Sequence, residues 1–143
     1  MKSTIQSLDV SFLLHATEDS GRVSDAVRGL VGGEVALETE EMEGHFGNRI
    51  LKVSLHLHGD EATRAFEALN AKIPVALRKE LAADIDKLVD EHSSLYLRFD
   101  KQKLVGGEIA AGYDDAVRLK IKPRAFLLHG RAKYFFLDQL KAG

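Results

Sequence analysis

The residues best suited to contact a ligand lie between Leu95 and Gly107, in the segment LYLRFDKQKLVGG. Its first half alternates apolar and polar residues, which predicts a strand over Leu95–Asp100 that is buried on one face. The other face would present an aromatic ring and a cation, followed by three long polar side chains: Tyr96, Arg98, Lys101, Gln102 and Lys103. Such groups suit a phosphate backbone with a base stacked on the ring, so the segment indicates binding and no particular reaction.

A second strand, Val117–Lys122, directs Arg118, Lys120 and Lys122 away from its apolar side. Strands of one sheet that bury their apolar residues under the same helices expose their polar residues together. The cations of both strands would then share a surface with Tyr96, and a third strand over Ile50–His58 would add Lys52, His56 and His58. The competing interpretation is a charged outer face without a ligand, since lysine on edge strands also prevents aggregation.

Metal-dependent chemistry has weaker support in the sequence. The pair His56 and His58 lies at same-face spacing on one strand but lacks a recognisable third ligand. His15 and His45 could meet at a sheet edge, although a solvated histidine is the more common arrangement. Four glutamates could bind Mg²⁺ and support a nuclease, namely Glu38, Glu40, Glu41 and Glu43. An acidic strand face explains them more simply. We therefore predict no metal site, no cofactor and no catalytic residue.

The segment EGHFGN predicts a tight connection between two strands. Gly47 and Asn48 tolerate positive φ, which gives both residues a structural reason to stand there. That explanation is preferred to a direct ligand role for His45 or Asn48.

The remaining pattern predicts a sheet with several amphipathic helices. Two further strands are expected over residues 5–15 and Val35–Met42, the second forming a hairpin with Ile50–His58. Helices are expected over Asp19–Val31, from Asp60 to Pro74, from Pro74 to Glu91 and over Arg131–Lys141. Pro123 argues for a strand edge or end. We predict one α+β domain over residues 1–143, with a mixed, mainly antiparallel sheet and helices packed on one face.

Composition is consistent with a single cytoplasmic domain. The 143 residues are 45% hydrophobic and 29% charged, contain no cysteine, and include no signal-peptide or membrane-spanning run. The net charge of −2 hides an asymmetry: residues 1–92 hold 10 Lys+Arg and 17 Asp+Glu, and residues 93–143 hold 10 and 5. A basic C-terminal third could attract a polyanion, or it could pair with the acidic part across the fold.

Three motifs in register resemble a family of small archaeal RNA-binding proteins, often described as predicted exosome-associated subunits. They are LLHATED at 13–19, EGHFGN at 43–48 and LYLRFDKQ at 95–102. Arg49 occupies a position where that family often has proline. The resemblance implies an α+β fold similar to that of the ribosomal protein that binds 5S rRNA. It also implies RNA binding without established catalytic residues.

Three functions follow, in order of support. The first is non-catalytic RNA binding associated with RNA processing or degradation, with RNA as the partner and exosome or other RNA-processing proteins as candidate further partners. The second is a protein-interaction adaptor in an RNA-processing complex, in which LYLRFDKQ and GHFGN would form a protein contact. The third is a metal-dependent nuclease. The oligomeric state stays open.

Overall fold

A computed structural model describes residues 3–33, 35–43, 47–124 and 131–141 of the chain. Five strands form one sheet in the order β2-β3-β1-β5-β4, and every neighbouring pair is antiparallel. The strands are β1 (Ile5–His15), β2 (Glu38–Glu43), β3 (Arg49–His58), β4 (Leu95–Asp100) and β5 (Ala116–Pro123). The α+β prediction with helices on one face is confirmed, and the sheet is antiparallel throughout.

Six helices occupy the described residues. They are α1 (Ser20–Leu30), α2 (Gly59–Lys72), α3 (Val75–Ala83), α4 (Ile85–Leu88), α5 (Lys101–Val105) and α6 (Arg131–Lys141). The Asp19 carboxylate caps α1 by accepting from two backbone N–H groups, at 3.1 and 3.2 Å. None of the helices described is long and apolar enough to cross a bilayer.

The core lies between the sheet and the helices because the strands alternate as their sequences indicate. Val10 of β1 lies opposite Leu55 of β3 on one side and Leu119 of β5 on the other, and Leu97 of β4 continues the row. All four side chains are buried. The polar residues between them must therefore point to the opposite face of the sheet.

Two predicted elements differ from the structure. The helix expected from Pro74 to Glu91 breaks at Asp84 into α3 and α4, and Val89 then forms an isolated bridge to Leu95. The strand expected over Val35–Met42 is displaced to Glu38–Glu43, and all six of its residues are exposed at the edge of the sheet.

Arg78 of α3 does not lie on the solvated face of its helix. It is buried, and its guanidinium donates to the carbonyls of Gln139 and Leu140 at the end of α6, at 3.2 Å each. These carbonyls have no partner within their own helix. Arg78 therefore fastens α3 to α6 and cannot belong to a surface patch.

The outer edge of β4 is partly covered by the loop that follows α5. The Gly112 amide donates to the Arg98 carbonyl at 3.0 Å, and the Asp100 amide donates to the Ala110 carbonyl at 2.9 Å. A Cβ at Gly112 would lie 2.6 Å from the Asp100 nitrogen and 2.7 Å from the Phe99 carbonyl carbon. Only glycine permits this close approach of two backbones.

Gly112→Ala should lower the free energy of unfolding by about 1–3 kcal/mol, because the added methyl group has to displace backbone. Gly29→Ala is the control, since a Cβ there has nothing within 4 Å and the position lies in α1. It should stabilise the protein by up to about 1 kcal/mol. Urea unfolding of both variants measures the difference, and equal effects would contradict the close-approach explanation.

Candidate nucleic-acid interface

The face of the sheet opposite the helices, here called the open face, brings together residues that are far apart in sequence. One row across it runs Tyr96, Lys120, Asp9 and His56, and the next runs Arg98, Arg118, Ser11 and Ser54. This placement follows from strand register. The expected grouping of Tyr96 and Arg98 with the β5 cations is therefore present in the structure.

Arg98 and Arg118 are directly opposite one another on β4 and β5. Like charges in this position destabilise a sheet. Together with Lys120 and Lys122 they form what we call the cationic strip, and none of the four makes an ion pair with any residue in the described ranges. A polyanion lying along the strip would relieve the repulsion.

The Tyr96 ring lies beside the cationic strip and is oriented by a hydrogen bond from its hydroxyl group. Its side chain is partly solvent-accessible, the residue being 40% exposed, and its hydroxyl donates to the Asp90 carboxylate at 2.9 Å. The Lys120 ammonium lies 5.8 Å from the ring centroid. Burial raises the pKa of Asp90, but hydrogen bonds from the backbone of its turn and from Tyr96 lower it, and the net pKa is below the ordinary value. The carboxylate that holds the ring is therefore ionised at neutral pH.

A shallow depression of about 420 Å³ lies between β4, β5 and β1 on the open face. Its polar lining consists of Asp9, Ser11, Tyr96, Arg98, Arg118 and Lys120. Asp9 and Ser11 were not among the predicted site residues, although the alternation of β1 places both on the polar side. The Asp9 carboxylate lies 2.7 Å from Nδ1 of His56, a residue of the neighbouring strand β3.

The other predicted residues are distributed around this depression. Lys122 is exposed opposite Ser7, and Lys52 is exposed between Leu13 and Glu40. Gln102 and Lys103 are exposed, but they lie on α5 instead of on a continuation of β4. The helix starts there because the Asp100 side chain accepts from the Lys103 amide at 2.9 Å.

Lys101 lies in the interior of the protein, contrary to the prediction. We expected it on the binding surface, yet its side chain is completely buried. Its ammonium donates to the Leu13 carbonyl at 2.6 Å and pairs with Glu18 at 2.7 Å and Asp115 at 2.9 Å. These partners come from two segments distant in sequence, so the residue pattern around Lys101 could not predict them. Lys101 is a structural residue with no access to a ligand.

This ion-pair cluster joins two of the motifs noted in the sequence. Glu18 of LLHATED accepts from Lys101 and Gln102 of LYLRFDKQ, at 2.7 and 2.8 Å. Burial raises the pKa of Glu18, whereas the hydrogen bonds and charge of Lys101 and the His15 amide lower it, and the net pKa is below the ordinary value. The motifs therefore meet in the fold and hold β1 against α5.

The lowered pKa of Glu18 predicts a pH dependence of stability. A depressed folded pKa contributes stability above the unfolded pKa, and this contribution is lost as the pH falls through the folded value. Glu18→Gln should lower Tm at neutral pH and make the fall in Tm between about pH 5 and about pH 3 shallower. Glu67→Gln, exposed on α2, is the control. Thermal melts across this range should separate the two variants; parallel curves would exclude the role given to Glu18.

The fold separates most of the acidic and histidine groups that the sequence offered as metal ligands. Strand alternation puts Glu38 and Glu40 on the open face and Glu41 and Glu43 on the other. Three potential ligands do converge, from His15, Glu18 and Asp115. However, the Lys101 ammonium already lies between the two carboxylates and supplies the positive charge that a metal would bring. These arrangements give no support to a nuclease.

The EGHFGN segment connects β2 to β3, which pair as an antiparallel hairpin. Gly47 has a φ of +73°, as the turn prediction requires. Asn48 precedes β3, and His45 lies outside the described residues.

The sequence of this chain is similar to that of known proteins over most of its length. A family model described as RNA binding matches residues 7–123. An RNA-binding protein from Pyrococcus abyssi is 33% identical over 132 residues, covering 87% of this chain and 86% of that protein. An uncharacterized protein from Methanocaldococcus jannaschii is 31% identical over 126 residues, covering 80% and 81%.

A solved structure extends the similarity to the fold. A DUF54 protein from Methanothermobacter thermautotrophicus superposes with a TM-score of 0.71 at 26% identity, and the match covers 97% of each chain. The similarity in sequence and in structure therefore spans nearly the whole chain and includes both strands of the cationic strip.

Proposed function

Because this chain belongs to the RNA-binding family, we propose that it binds RNA on the open face of its sheet and catalyses no reaction there. The observation that carries the proposal is the direct opposition of Arg98 and Arg118 on adjacent strands, without ion-pair partners among the described residues. Such an arrangement costs stability unless an anion lies between the strands. RNA phosphates supply that anion.

In this proposal each group has a defined role. Arg98, Arg118, Lys120 and Lys122 bind phosphates, which provides affinity with little sequence preference. Tyr96 offers a ring on which a base can stack. Gln102 and Lys103 extend the polar surface from α5.

Tyr96→Ala should weaken binding of single-stranded RNA about tenfold or more, since base stacking on an aromatic ring is worth about 1–3 kcal/mol. Tyr96→Phe is the matched control, because it keeps the ring and removes only the hydroxyl that donates to Asp90. Fluorescence anisotropy at low salt measures both. The stacking role is excluded if the two variants weaken binding equally.

We further propose that the protein works with exosome or other RNA-processing proteins in the cytoplasm. The feature that favours a protein partner is β2, whose residues are all exposed at a free edge of the sheet and include four glutamates. An exposed edge strand can pair with a segment of another chain. Affinity capture after RNase treatment tests this proposal. If RNase treatment removes every captured protein, the chain has no direct protein partner and only the RNA-binding proposal stands.

A further inference from the structure

A second depression, of about 260 Å³, lies on the open face beside the cationic strip. Ser11 and Arg118 line both this depression and the one beside Tyr96, so the two are adjacent. A nucleotide chain lying along the strip would therefore pass its rim.

The second depression contains two exposed apolar side chains among polar and charged ones. Leu13 and Met42 line it and are 40% and 42% exposed. Strand register puts both on the open face, where Leu13 lies opposite Lys52 and Met42 opposite Ile50. Covering these two side chains with a flat ring would bury apolar surface that water now contacts.

The charges around this depression differ from those of the cationic strip. Asp114 and Asp115, on the loop that precedes β5, line it together with the cations Lys52 and Arg118. The Asp115 carboxylate is committed to Lys101. The Asp114 carboxylate offsets the charge of Lys52 here, whereas Arg98 and Arg118 have no such counter-charge in the ion pairs of the described residues. Phosphates are therefore held at the cationic strip, and the exposed apolar side chains of Leu13 and Met42 favour a neutral group in the depression. Neighbouring strands lie about 4.8 Å apart, which puts Leu13 of β1 one strand from Arg118 of β5.

We infer that the second depression binds an unpaired base of single-stranded RNA whose phosphates lie on the cationic strip. This inference rests on the RNA-binding function proposed above and adds the class of substrate. The bases of an A-form duplex are paired and stacked, so they cannot turn into a depression of the sheet, whereas splayed bases of a single strand can. The protein should therefore prefer single strands to duplexes.

The direct test compares an RNA of about 12 nucleotides with an oligonucleotide of the same length whose sugars lack bases, because both present the same phosphates. Anisotropy titration of the unmodified protein should show weaker binding of the abasic strand, by about tenfold or more. Equal affinity for the two strands would overturn the inference. This comparison needs no variant and so does not depend on the folding of one.

The double variant Leu13→Ser/Met42→Ser localises the effect. It should bind the base-containing strand about fivefold more weakly and the abasic strand as tightly as the unmodified protein does. Val75→Ser is the control, since this exposed apolar residue lies on α3. A variant that loses no affinity for the base-containing strand would also overturn the inference. If the unmodified protein binds neither strand at low salt, the RNA-binding proposal itself fails, which is a distinguishable result.

Discussion

Replacing Arg98 and Lys120 together with glutamate should weaken the binding of single-stranded RNA by about 100-fold or more at low salt. The substitutions remove two of the four cations of the strip and put repulsive charges in their place. The change in stability should be small, because Arg98→Glu converts the arginine opposition across β4 and β5 into an attractive pair, whereas Lys120→Glu places a carboxylate opposite Asp9. Anisotropy titrations and urea unfolding measure the two effects separately.

Lys79→Glu is a control for charge reversal away from the open face, with half the change in net charge of the double variant. Lys79 is exposed on α3, on the helical side of the molecule. It changes the net charge in the same direction but should leave RNA affinity within about twofold. A loss of affinity as large as that of the strip variant would mean that overall charge, and not the open face, determines binding.

Lys101→Met should lower the free energy of unfolding by about 3–5 kcal/mol, because it leaves the carboxylates of Glu18 and Asp115 without their shared cation. It would be the largest single effect on stability among the substitutions considered. Urea unfolding at neutral pH measures it directly.

Lys103→Met provides a control two residues away on the same helix, since Lys103 is exposed and makes no ion pair with a described residue. It should change stability by less than about 0.5 kcal/mol. Similar losses in the two variants would contradict the distinction drawn between the buried and the exposed lysine. Glu18→Gln combined with Lys101→Met should recover part of the loss, because it removes one of the unpaired charges.

Alternation along the strands explains why much of the candidate site was predictable. In β4 and β5 every second residue is apolar, and this pattern alone sorts Tyr96 and Arg98 from Leu97 and places Arg118 and Lys120 outward. The antiparallel pairing then aligns the rows. The helix starts predicted near Asp19 and Pro74 were equally local features.

The errors concern residues whose environment depends on distant partners. Lys101 was predicted at the surface, and lysine, like the buried Arg78, is a residue type usually found there. Each of the two is buried because acceptors from other elements surround it. A pattern that considers one element at a time cannot locate such acceptors. The short β2 has the same explanation, since its limits follow from the register of its pairing with β3.

Two of the motifs shared with the RNA-binding family also have a structural role. LLHATED and LYLRFDKQ meet through Glu18, Lys101 and Gln102, so part of what makes them recognisable is an internal ion-pair cluster. The residues that face the solvent in the same segment, Tyr96 and Arg98, are the ones available to a ligand. One short motif thus serves both stability and the proposed binding.

The salt dependence of RNA binding tests the central claim most directly. With about four phosphate contacts to a single strand, log K should fall against log salt with a slope of about −3, or about 50-fold between about 50 and about 200 mM. In the Arg98→Glu/Lys120→Glu variant the slope should become shallower by about 1.4. A slope near zero for the unmodified protein, or an identical slope in the variant, would show that the cationic strip does not bind the RNA backbone.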